Sequence, residues 1–176
     1  MQTEIADNVK QYLLLLEQWM GYFGFTPLGV ETNWLFDVSY KRDRVEASKF
    51  SKVSTYCFVK YANEMFDKQK FENFSKSCFD YASKIRQGMP VGLGGSLVVY
   101  PCLIVNGVSK ELKDYISIYL NKHYSAFEFP AILDISDGNL YYYQKTPMWG
   151  AFYYNGFRKE IFDLYSPTAW NKIAGK

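Results

Sequence analysis

The chain has 176 residues, enough for one ordinary domain and too few for two of typical size. Hydrophobic residues make up 48% and charged residues 22%, which excludes general disorder and collagen-like repeats, while a net charge of +2 excludes a tail-like polyanion binder. Aromatic residues reach 19%, so the core and any stacking surface must be built largely from rings.

Ile5, Val9, Tyr12, Leu13, Leu16, Trp19 and Met20 recur at helical spacing and predict an amphipathic helix over about 3–20. Its first residues include Glu4 and Asp7 where a secretory leader carries bases, and the apolar run Leu13–Leu16 is far short of the ~20 residues that cross a bilayer. The expectation is a cytoplasmic chain with no membrane association. After a turn around Pro27, the alternation of Trp34, Phe36, Val38 and Tyr40 with Leu35, Asp37 and Ser39 predicts a strand. Residues 41–52 are charged and read as a loop or long hairpin tip, and 53–61 as a second strand pairing antiparallel with the first.

Phe71, Phe74, Cys78, Tyr81 and Ile85 predict a helix that Gly88 and Pro90 close. Gly92-Leu93-Gly94-Gly95 follows a helix and precedes a strand, the reverse of a phosphate loop, and reads as a flexible connector. Residues 96–105 form an apolar run of buried-strand type in which Pro101 points to an edge or a bulge. Ser109 caps a helix over about 109–120; 129–135 is a further strand, Asp137-Gly138-Asn139 a turn and 140–144 its hairpin partner. A final helix runs from Trp149 until Pro167 ends it. The order α-β-β-α-β-α-β-β-α, with a parallel strand–helix–strand unit at 96–135, predicts one α/β (α+β) domain spanning 1–176: a mixed central sheet flanked by helices.

Cys57, Cys78 and Cys102 lack ligand spacing and read as buried reduced thiols. His123, the single histidine, fits a charge–dipole contact at a helix end. Residues 41–86 hold eleven bases against six acids, and within them Lys41, Arg42, Arg44, Lys49 and Lys52 form a basic hairpin segment suited to phosphates. In the aromatic stretch 141–154, Tyr142 should project opposite to Tyr141 and Tyr143, so a face of that strand needs cover. Tyr141, Tyr142, Tyr143, Trp149 and Tyr153 are therefore the expected interface or ligand surface, most simply of a homodimer.

Asp37 on one strand and Phe58-Val59-Lys60 on the next, in the order helix, hairpin, helix, strand, helix, strand, resemble the restriction-endonuclease-like PD-(D/E)XK family over about 30–135. The resemblance implies that an Asp and a Glu from neighbouring strands hold a divalent metal while a Lys two residues beyond the Glu helps activate water. Carried onto this chain, Asp37 is the Asp and Lys60 the Lys, but the acidic position falls on Phe58, and Phe36 stands where a Pro precedes the Asp. Glu17, Glu31 or Glu46 would then supply a migrated carboxylate, with Glu17 beside Asp37 as the metal pair. The favoured reading is a non-catalytic or degenerate nuclease-like domain acting in nucleic-acid association or protein interaction, with no cofactor. The alternatives are a nuclease using Mg²⁺ or Mn²⁺ with Asp37 and Lys60, and a small-molecule or peptide binding module on the Tyr/Trp-rich C-terminal segment.

Overall fold

The computed structural model describes residues 6–29, 34–46, 51–146 and 151–175, with backbone alone at 46, 51, 151 and 152. Helix α1 (Asp7–Tyr22) buries the stripe Val9, Tyr12, Leu16 and Met20 that the sequence spacing demands. It ends where Gly24 takes φ +79°, so that Gly24 N–H reaches Gly21 O and Phe25 N–H reaches Met20 O, a paired closure that needs a residue without Cβ. The two-residue strand β1 (Thr26–Pro27) then pairs antiparallel with β2 (Val38–Glu46), which pairs antiparallel with β3 (Ser51–Ala62).

The hairpin departs from the sequence reading at both ends. Strand pairing begins at Val38, because Asp37 N–H donates to Val59 O while Val38 also pairs with Val59. Two residues thus oppose one, and the side-chain alternation breaks there. Phe36 packs beneath one face of the sheet, whereas Val38 and Tyr40 pack on the other. At the far end, 41–46 and 51–52 are ladder, not loop. Their cationic ends sit over rings: the Arg42 guanidinium carbon lies 4.1 Å from the Phe25 ring centre and Lys41 Nζ lies 5.7 Å from that of Tyr56.

Helix α2 (Lys68–Ile85), capped by Asp67 accepting from Lys70 N–H at 2.8 Å, crosses to β4 (Gly95–Val105). Strand β4 pairs parallel with β3 along its whole length, from Lys52–Gly95 to Ala62–Val105. Helix α3 (Lys110–Ile116), capped by Ser109, is shorter than its apolar pattern and leads to β5 (Ala126–Glu128) and β6 (Ala131–Asp134), both parallel to β4. Strand β7 (Asn139–Tyr142) returns antiparallel to β6, and α4 (Ala151–Tyr165) and α5 (Pro167–Ile173) follow. The sheet order is β1-β2-β3-β4-β6-β7, with β5 also on β4.

Pro101 is central, not at an edge. Val99 and Val105 accept from Phe129 and Ile135, so Pro101, of the same parity, turns its missing N–H toward the β5–β6 side. The neighbouring strand breaks opposite it, at Phe129-Pro130. Helix α4 stops at Tyr165, just before Pro167 as expected, but it is not the final helix: Pro167 opens α5, since a first-turn proline sacrifices no helical hydrogen bond.

Strand alternation divides the interior into two clusters, one on each face of the sheet. Tyr56, Phe58, Leu97, Val99 and Leu103 meet α2 and α3, and Cys57, Val59, Val98, Tyr100 and Ile104 meet α1, α4 and α5. The result is a single layered α+β unit with helices on both faces of a seven-stranded mixed sheet. Among the described residues no helix is long and apolar enough to cross a membrane.

Candidate functional site

The strand break at Asp37 decides the fate of the nuclease-like residues. A regular ladder would set Asp37 opposite Lys60; instead Asp37 Oδ2 accepts the Tyr61 N–H at 2.6 Å, and the Lys60 ammonium donates to the Trp34 carbonyl. Asp37 lines a cleft of about 520 Å³ with Glu17, Lys10 and Tyr40, whose remaining walls include Leu13, Leu14, Phe36 and Val38. Burial, then the negative charge of Glu17, pushes the Tyr40 hydroxyl up to about 12. Lys60 lines a separate groove with Trp34, Glu64 and Lys70. Phe58 is fully buried, with ring centres 5.0 Å from Phe36 and 5.8 Å from Tyr81.

Asp37 and Glu17 therefore share a cleft, and Lys60 does not join them. Mg²⁺ is held by one or two carboxylates with waters, but Asp37 Oδ2 already accepts the Tyr61 N–H, and the Lys60 ammonium turns to the Trp34 carbonyl instead of this cleft. Among the described residues no three His, Cys, Asp or Glu side chains stand together as metal ligands. Glu31 lies outside the described residues, and Glu46 is in β2.

The five hairpin cations do not make one patch. Lys41 and Lys52 both reach Asp43 Oδ2, at 3.2 Å. Burial opposes ionisation of Asp43, but the neighbouring Ser54 hydroxyl and the Lys52 and Lys41 ammonium groups outweigh it and hold the carboxyl below its usual range. Arg42 and Arg44 project to the opposite face, toward α4. Lys49 lies outside the described residues.

Arg42 is only 7% exposed. Its guanidinium donates to Glu160 Oε1 and to Phe23 O, while Glu160 Oε2 accepts the Tyr100 hydroxyl at 2.6 Å. A tyrosine chain continues inward: Tyr165 donates to Tyr100 O at 2.7 Å and Tyr12 to Tyr165 O at 2.8 Å. Burial, reinforced by the Glu160 charge, holds the Tyr100 hydroxyl protonated far above its usual range. Outside this network lies a cleft of about 500 Å³ between β2 and α4, lined by Arg42, Arg44, Tyr153, Gly156, Phe157 and Lys159 among others. The basic hairpin and the aromatic C-terminal stretch, separate in sequence, meet there.

The tyrosine expectation holds in part. Tyr141 faces α3, with Lys113 Nζ 4.6 Å from its ring centre, and Tyr142 packs on the opposite face near Phe129. Tyr143 joins Tyr142 because β7 ends at Tyr142, and it is buried 5.6 Å from Tyr154. Tyr141 and Tyr142 are thus part-buried by the chain itself, one on each face, and Tyr143 is buried. Tyr153, stacked on Phe127 at 5.7 Å, remains 44% exposed; Trp149 lies outside the described residues.

Sequence reasoning missed Glu128. This carboxylate is 1% exposed and accepts from Ser75 on α2, from Asn121 at 3.0 Å and from Tyr119 at 3.4 Å. His123 Nε2 lies 2.8 Å from Glu128 Oε2, with its ring stacked 3.6 Å from Phe79, so its partner is a buried acid and not a helix end. The available signal was an acid between Phe127 and Phe129 in a strand, which must be met by donors. Ser75 and His123 both face the carboxylate and not each other, so the cluster is no nucleophilic triad. The three thiols are buried; burial pushes Cys57 up to about 12 and Cys78 and Cys102 well above the usual range, which makes them inert.

No protein family, curated protein or solved structure matches the chain at a significant level.

Proposed function

We propose that the chain is a non-catalytic, nuclease-like domain that associates with nucleic acid through the cleft between β2 and α4. The observation that carries this reading is the convergence of Arg42, Arg44 and Lys159 with Tyr153 and Phe157 around one opening of about 500 Å³. Cations meet phosphates and rings meet bases, which is the combination nucleic-acid grooves use. The core position of Phe58 and the diversion of Lys60 to the Trp34 carbonyl support binding over cleavage.

The shared cleft of Asp37 and Glu17 favours a second reading, a metal-dependent nuclease in which these two carboxylates hold Mg²⁺ or Mn²⁺. One experiment addresses both. Fluorescence anisotropy with labelled single- and double-stranded DNA and RNA in Mg²⁺, followed by denaturing gels of the same samples, should give salt-sensitive binding and intact oligonucleotides. Cleavage lost in both Asp37→Ala and Lys60→Ala would promote the nuclease, and failure to bind any oligonucleotide at low salt would reject the association.

A further inference from the structure

We infer that the β2–α4 cleft holds one unstacked nucleotide, so that the ligand is a single strand and not a duplex; this rests on the nucleic-acid reading above. Gly156 is the first reason. It sits inside α4 and lines the cleft, yet a Cβ built on it meets nothing within 4 Å. Glycine within a helix is unfavourable relative to alanine, and no packing contact requires it here. Its effect is to leave the cleft floor open to close approach by a ligand.

The walls give the second reason. Phe157 and the 44% exposed Tyr153 stand along one side of α4, next to Gly156 and Lys159. A base can stack on such rings only when it has left a duplex, because paired bases show edges to the grooves and not faces. A cleft of about 500 Å³ has room for a single small ligand such as one nucleotide.

Charge gives the third. Arg42 is fixed by Glu160, and Lys159 donates to Asp163 Oδ2 at 2.6 Å, which leaves three cations against two carboxylates in the lining. Arg44 is exposed and has no ion pair with a described residue, so it is the cation free to meet a phosphate.

The test compares a labelled single strand with its duplex on wild type, Gly156→Phe, Gly156→Ala and Arg44→Glu, with circular dichroism and thermal melting on every variant. The single strand should bind wild type about tenfold or more tightly than the duplex. Gly156→Phe, which fills the cleft, and Arg44→Glu should each weaken single-strand binding by about tenfold while the fold is retained, and Gly156→Ala, which adds one methyl to the cleft floor, should weaken it by a smaller factor. Should Gly156→Phe fail to fold, Arg44→Glu alone decides. Equal or tighter binding of the duplex overturns the inference and leaves the nucleic-acid reading standing. Unchanged binding by a folded Gly156→Phe, or by Arg44→Glu, overturns the placement of the strand in this cleft, and no binding of either oligonucleotide overturns both.

Discussion

The Tyr100 hydroxyl, on the central strand, donates to Glu160 Oε2 at 2.6 Å, and the other oxygen of Glu160 receives the Arg42 guanidinium. The carboxylate thereby ties β4 and β2 to α4 through a single side chain. Arg42 is nearly buried while Glu160 keeps 28% of its side chain exposed, so the pair is only partly desolvated. Removing the acid alone strands the arginine. Glu160→Leu should cost about 2–4 kcal/mol in urea denaturation, whereas Arg42→Met with Glu160→Leu should lie within about 1–2 kcal/mol of wild type. Strictly additive single-variant losses would mean that the pair is not coupled.

Glu128 makes a comparable tie on the other face. Its donors come from α2 at Ser75 and from the segment after α3 at Tyr119, Asn121 and His123. Glu128→Gln puts an amide NH₂ among groups that are themselves donors and should cost about 2–4 kcal/mol. Amide exchange in residues 117–125 should accelerate in the variant; unchanged protection there would show that the carboxylate does not fasten this segment.

Asp134 gives the fold an acid-sensitive joint. Burial opposes its ionisation, but the Ser136 hydroxyl and the N–H groups of Gly107, Ser136 and Val108 outweigh that and hold the carboxyl below its usual range. A depressed folded-state pKa stabilises above the unfolded value of about 3.9, and that contribution disappears as pH falls through the folded value. Between about pH 5 and pH 3, wild type should therefore lose more stability than Asp134→Asn. Parallel losses would place the acid sensitivity elsewhere.

Where side-chain period agreed with burial, the sequence was readable: α2, the long β4 and the parallel connection through α3 follow from apolar spacing and a Ser109 cap. The failures have physical causes. Charged residues 41–46 look like loop, yet Arg42 and Lys41 place their cationic ends over the rings of Phe25 and Tyr56. Pro167 stops α4 as expected but also starts a further helix, α5. The one-residue slip at Asp37 changes which face its neighbours occupy, and no local pattern in the alternating stretch 34–40 announces it. That slip explains why Glu17 and Asp37 meet in one cleft while Lys60 lines another. The role of Glu128 was hard to read because one of its donors, Ser75, comes from 53 residues away on α2 to join those of the nearby segment 119–123.

Binding without cleavage depends on what Asp37 does with a divalent ion. Crystals soaked in Mn²⁺ and measured at the manganese absorption edge give the answer in one anomalous difference map. The reading above predicts no ion coordinated jointly by Asp37 and Glu17, with the Lys60 ammonium still on the Trp34 carbonyl. A Mn²⁺ peak held by both carboxylates, with Lys60 turned from Trp34 toward it, would contradict that reading and favour the nuclease.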